Sequence, residues 1–213
     1  MASHQHPPAD ARRDNGIWLQ QFNRKTTRLG RLWAELKRRC VEGGAYQRSR
    51  PTYRGCTNDF MNFQAFAAWA TAQPGYESLD SKGKFFQLDK DLLVPGNRSY
   101  AEDTCCFVPA SLNSLLVACD ARRGEYPVGV CRDKATDSYI AHISKRYIGR
   151  YPTPVLAHQA WQRAKIEAIR EAASALPPEL HHLQGKVLQH ADLIANALRE
   201  GKETVRGASH GDV

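Results

Sequence analysis

Histidine is missing from the middle of this chain: none of its eight histidines lies between His6 and His142. Acid–base chemistry carried by that central stretch would lack an imidazole of its own. Long apolar runs are missing too. No segment approaches the roughly eighteen residues needed to cross a bilayer, so no membrane partner is expected. The opening MASHQHPPADARRDNG has no apolar core after its charges and does not read as a signal peptide, which makes the cytoplasm the expected location. No CxxC pair occurs among Cys40, Cys56, Cys105, Cys106, Cys119 and Cys131. A zinc site built on Cys40, Cys56 and one of the adjacent pair Cys105-Cys106 would have spacing unlike the usual closed sites, so zinc is disfavoured. Without an export signal, free thiols are expected in place of disulfides.

What is present is positive charge. The 213 residues are 42% hydrophobic, enough for one medium domain or two small ones, and carry a formal net charge of +8. That balance favours a polyanionic partner, most simply nucleic acid.

Residues 1–16 are polar and proline-containing and read as a disordered tail. Helical periodicity runs from about Thr27 to Cys40, through Leu29, Leu32, Trp33 and Leu36. The segment GGAYQRSRPTYRGCTN reads as a glycine- and arginine-rich loop. Thr57 or Asn58 is the expected cap of a second helix through Phe60, Phe63, Phe66, Ala67 and Trp69, ending before Pro74-Gly75. Residues 85–94 read as a strand, Pro95-Gly96-Asn97 as a turn and Cys106–Val108 as a short strand. Pro109 then opens a helix through Asn113.

On a regular strand Asp89 and Asp91 point to one face and Lys90 to the other. Two carboxylates on one face suit a hard cation, Mg2+ or Mn2+, and Asn113 can add a neutral oxygen. The alternative is a solvated strand end with a charged hairpin. In its order of elements the stretch QLDKDLLVPGNRSYAEDTCCFVPASLNSLL resembles the ββα-metal nucleases called HNH endonucleases, especially divergent phage types. Tyr100–Val108 is similar to a YxxxNCRWV-like stretch of those proteins, with Cys105 retained, and the upstream RCVEGGAYQRSRPTYRGC and FMNFQAFAAWA resemble their amino-terminal part. The resemblance implies that Asp89 and Asn113 hold metal and that Asp91 assists. Lys90 falls at the place of the general-base histidine, and Thr104 at the place of the asparagine that orients it. A lysine has a reference pKa near 10.4 and is a poor base, so Lys90 would instead clamp the scissile phosphate.

From Pro127 the texture changes. Val128–Arg132, Ser138–Ser144 and Tyr147–Tyr151 read as three short strands. A helix follows from Thr153 to about Ser174, with Ala157, Ala160, Trp161, Ala164 and Ala168 in one stripe. On the strands Val130, Ile148 and either Tyr139 or Ile140 would face the helix. The segment GVCRDKATDSYIAHISKRYIGRYPTPVLAHQAWQRAK resembles AP2-type DNA-binding domains, in which a three-stranded sheet enters the major groove and a helix backs it. That resemblance implies double-stranded DNA as partner, contacted by Arg132, Lys134, His142, Ser144, Lys145, Arg146 and Arg150. Arg38 and Arg50 add two further phosphate contacts, with Arg24, Arg48, Arg54, Arg122 and Arg123 as lesser candidates. His181, His182 and His190 on a final helix, about Glu179–Arg199, read as surface histidines, and the last dozen residues as frayed.

The expected fold is α+β: an HNH-like ββα core with N-terminal helices over residues 17–126, an AP2-like sheet and helix over 127–175, and a helical tail over 176–213. Three functions fit. One is a phage-type DNA endonuclease working in the host cytoplasm. Another is a non-catalytic DNA binder on a degenerate core. The third is a phage protein that binds and inhibits a host protein.

Overall fold

The computed structural model describes residues 13–14, 17–18, 27–116, 125–144 and 146–204. The expected tail over 1–16 falls almost wholly outside them, as do Arg24, Cys119, Arg122, Arg123, Lys145 and the chain after Thr204. The protein is a mixed α+β structure. Its first strands, β1 (Arg13–Asp14) and β2 (Ile17–Trp18), form a small antiparallel pair.

Helix α1 (Arg28–Arg39) starts where Thr27 Oγ1 accepts the backbone N–H of Gly30 at 3.1 Å. Its last turn carries Lys37, Arg38 and Arg39, which complement the negative end of the helix dipole. Leu36 is buried, and Leu29, Leu32 and Trp33 pack against the main core. The segment expected as a plain loop contains a short helix, α2 (Ala45–Ser49), and a 3-10 turn at Pro51–Tyr53. Buried Gln47 donates from Nε2 to Arg39 O at 2.9 Å and ties this segment to the end of α1.

Thr57 and Asn58 do not cap a helix. They form β3 (Thr57–Asn58), which pairs in parallel with β5 (Ser99–Tyr100). The cap is Asn62, whose Oδ1 accepts from Ala65 N at 2.9 Å at the start of α3 (Phe63–Ala72). Phe66, Trp69, Tyr76 and Phe107 form the aromatic centre of the core, with Tyr76 and Phe107 edge to face at 5.4 Å.

β4 (Gln87–Asp89) pairs antiparallel with β6 (Cys106–Val108), and α4 (Ala110–Leu116) follows at once. β4 is much shorter than the strand expected over 85–94. Asp89 Oδ1 accepts the N–H groups of Asp91 and Leu92 at 2.9 and 2.7 Å, which turns the chain out of the sheet.

β7 (Val130–Asp133), β8 (Ser138–Ile143) and β9 (Arg146–Tyr151) form a three-stranded antiparallel sheet in the order β7-β8-β9. α5 (Pro154–Ser174), capped by Thr153, lies on one face of it. Tyr139, not Ile140, points to the helix, together with Ala141, Ile143, Val130 and Ile148. Gly129 makes the close approach possible: its φ is +81°, and a Cβ there would sit 2.0 Å from Trp161 Cδ1.

The first half of α5 covers the sheet, and its second half enters the main core through Ile166, Ile169 and Ala173. After a 3-10 stretch (Pro178–Leu183), α6 (Gln184–Arg199) buries Val187, Ala191 and Ile194 in that same core. Segments separated in sequence at 126 and at 175 therefore share one interior. Lys202–Thr204, expected to fray, are held on α5: Gln162 Nε2 donates to Lys202 O at 3.0 Å, and Thr204 N donates to His158 Nε2 at 3.0 Å. Among the described residues no helix is long and apolar enough to cross a membrane.

Candidate functional site

The three central residues of the candidate site do not alternate on a strand. Asp89 ends β4, while Lys90 and Asp91 lie in the bend that follows. Lys90 is the surprise, with only 4% of its surface exposed. Its Nζ donates to Asp91 Oδ1 and, at 2.7 Å, to Asn97 O. Asn97 answers by donating from Nδ2 to Lys90 O at 2.7 Å and to Ser99 O at 2.6 Å. Lys90 is thus an internal staple of the 90–97 loop, and the strand alternation expected to turn it away from Asp89 and Asp91 does not hold. Thr104 has a similar structural use: its Oγ1 donates to Ser99 O at 3.0 Å and accepts from Ala101 N at 3.1 Å.

Burial pushes the carboxyl pKa of Asp89 up, and the neighbouring charge of Asp91 adds to the shift. Two backbone N–H groups on Oδ1 pull the other way and keep the group oriented. Asn113 reaches back from α4 to β4, where its Nδ2 donates to Gln87 Oε1 at 3.2 Å. The carbonyl oxygen of that amide is the atom left for another partner. Asp89, Asp91 and Asn113 all line one cavity of about 940 Å3. Its other walls come from α1, through Arg28, Arg31 and Arg39, and from α5 and α6. Among the described residues no group of three or more His, Cys, Asp or Glu side chains is placed to hold a metal ion.

Two cavity residues were not recognised in the sequence as part of this site. His190, expected on the surface, is half-buried on α6, and its Nε2 lies 3.2 Å from Leu92 O. Burial lowers its pKa, so the imidazole is neutral at pH 7, against the opposing pull of Asp89 and Asp91. Lys165 is buried on α5, with Nζ 5.6 Å from the centre of the Trp161 ring. A signal for both existed. His190 falls within the stripe Val187, Ala191, Ile194, and Lys165 stands four residues from both Trp161 and Ile169. A polar residue inside an apolar stripe faces inward.

The sheet sorts the expected DNA contacts by register. Cys131, Ile140 and Arg150 are in line across β7, β8 and β9 on the face away from α5. His142 joins them, with Nε2 3.3 Å from Cys131 Sγ. Arg150 is held there by Asp133 Oδ2 at 2.6 Å and Ser138 Oγ at 3.2 Å. Arg132, an expected DNA contact, pairs with Tyr139 and so lies on the helix side, bound to Asp137. Lys134 and Ser144 are exposed at the hairpin turns, and Tyr147, which pairs with His142, is 59% exposed, whereas Arg146 is exposed at the strand end but pairs with Ile143 and so lies on the helix side. Arg38 on α1 and Arg50, just after α2, both lie over the ring of Tyr46, at 4.4 and 4.8 Å from its centre.

The cysteines divide by position. Cys56, Cys105 and Cys106 are buried free thiols and Cys131 is exposed. Burial raises the thiol pKa of Cys105 to about 12 and that of Cys40 to about 11. Such thiols stay protonated at neutral pH and are poor nucleophiles or ligands.

No family model, no curated protein and no solved structure matches this chain.

Proposed function

We propose that the protein is a phage-type, metal-dependent endonuclease that hydrolyses phosphodiester bonds of double-stranded DNA. The observation that carries this reading is the convergence of Asp89, Asp91 and Asn113 on one cavity, at the end of a strand–strand–helix unit. That order of elements supports the HNH-like reading, and a three-stranded sheet backed by α5 supports the AP2-like one.

The donor set fits Mg2+ or Mn2+: two carboxylates and an amide oxygen are hard ligands, and six-coordinate ions complete such sets with water. With Asp89 Oδ1 occupied by backbone N–H groups, Oδ2 is the oxygen that would face the ion. A divalent ion held there would supply Lewis-acid stabilisation of the leaving oxygen. Arg31 and Lys165 on the cavity walls supply positive charge for phosphate oxygens, a role Lys90 cannot take while stapled. DNA is gripped outside the cavity by His142, Tyr147 and the hairpin residues Lys134 and Ser144.

A second reading has an observation of its own. Lys90 and Thr104, at the places of the expected histidine and asparagine, are both consumed in loop structure. That pattern suits a core retained for DNA binding without turnover. Incubating supercoiled plasmid with Mg2+ or Mn2+, beside an Asp89→Ala protein, separates the two. Metal-dependent nicking lost in the variant supports the nuclease. Salt-sensitive DNA retention with no nicking by either protein supports the binder.

A further inference from the structure

We propose that His190, supplied by α6, accepts the proton of the attacking water in this cavity; the inference rests on the nuclease reading above. Its geometry is suited to that task in three respects. First, the ring is a wall of the cavity that Asp89, Asp91 and Asn113 also line. Second, its hydrogen-bond partner fixes the tautomer. Leu92 O can only accept, so Nε2 carries the hydrogen and donates at 3.2 Å. Nδ1 then holds the lone pair, the form a base needs.

Third, the residue is placed by the fold and not by chance exposure. Val187, Ala191 and Ile194 seat this face of α6 in the main core, and His190 shares that face. Leu92, which receives its hydrogen bond, follows directly on Asp91 and is itself buried. The imidazole is therefore anchored to the same turn that presents the two carboxylates. Asp89, Asp91 and Lys165 are the charged groups that act on it. Burial keeps the ring neutral, which agrees with the proposed role.

The chemistry balances without further reagents. The water oxygen forms a bond to phosphorus while its proton passes to Nδ1, giving imidazolium. The P–O ester bond breaks, and its electron pair leaves on the deoxyribose oxygen, which takes a proton from solvent. The imidazolium returns its proton to solvent, and one phosphate monoester and one hydroxyl remain.

The test uses the full chain, supercoiled plasmid and Mn2+. His190→Gln keeps an N–H that can reach Leu92 O but has no basic nitrogen. With melting temperature unchanged, its nicking rate is expected to fall about 10²- to 10⁴-fold, the usual contribution of a positioned acid–base group. His190→Ala guards against a merely structural effect: added imidazole should restore its nicking at least about tenfold. The wild-type protein nicking while His190→Gln nicks within about threefold of it overturns the role of His190 and leaves the nuclease reading intact. Absence of imidazole rescue in a folded His190→Ala protein overturns it as well. If the wild-type protein itself does not nick, the nuclease reading falls first and this inference with it.

Discussion

Replacing Lys90 by Met separates a structural staple from a phosphate clamp. The substitution keeps most of the buried aliphatic stem and removes the ammonium. Two charge-assisted hydrogen bonds disappear, one to Asp91 and one to Asn97 O. Hydrogen bonds to a charged group contribute about 1.5–3 kcal/mol each when both partners are buried. The Asp91 side chain is one-third exposed and can rehydrate, which lowers its share. Asn97 O is left with one partner fewer, and the 90–97 loop loses a tie across its mouth. Together these give about 2–4 kcal/mol of destabilisation. For a chain of this size that is a fall in Tm of roughly 4–16 °C. Urea titration of the wild type and Lys90→Met, followed by tryptophan fluorescence, should show a lower midpoint with an unchanged slope. A midpoint equal to wild type, with DNA affinity lost, would refute the staple and restore the clamp.

Three further outcomes follow from positions already described. Gly129→Ala should destabilise by about 2–5 kcal/mol, from left-handed strain plus collision with Trp161, whereas Gly43→Ala, with φ +61° and open space around it, should show about 1–2 kcal/mol by the same urea titration. Lys134→Ala should weaken duplex binding and reduce the slope of log K against log salt by about one, while Arg132→Ala leaves both unchanged in fluorescence anisotropy. Asp89→Asn should raise Tm at pH 7 in metal-free buffer even though it removes a proposed ligand. A carboxyl whose folded pKa is raised contributes fully below its unfolded pKa, about 3.9, and loses that contribution as pH rises through the folded value. The Tm gap between Asp89→Asn and wild type should therefore close on acidification towards pH 4, and a variant less stable at pH 7 would contradict the direction of the shift.

Legibility in the sequence followed periodicity. α1, β6, the three strands β7–β9 and α5 stand within a few residues of where their apolar patterns place them. The pattern was weak where hydrogen bonds made by side chains decide the backbone. Asp89 ends β4 early, and Asn62 takes the cap that Asn58 was expected to provide, because Asn58 lies in a parallel pair with Tyr100. Strand pairs of two residues, such as β3 with β5, have no period to detect. In the site, the sequence singled out Asp89, Asp91 and Asn113, which line one cavity, but not the direction of Lys90, because a bend has no alternating faces. His190 is 98 positions from Leu92, a separation that local spacing does not bridge.

The division of α5 between two interiors has a consequence for how the molecule comes apart. Residues Ala157 and Trp161 hold the sheet, and Ile166, Ile169 and Ala173 hold the main core, on one unbroken helix about 31 Å long. Melting the sheet frays the helix towards the core, and melting the core strips the helix that backs the sheet. The slowest-exchanging amides of both halves should therefore report the same global free energy. The sheet is correspondingly no portable module. Excised at 127–175 it would expose the apolar second half of its own helix to water.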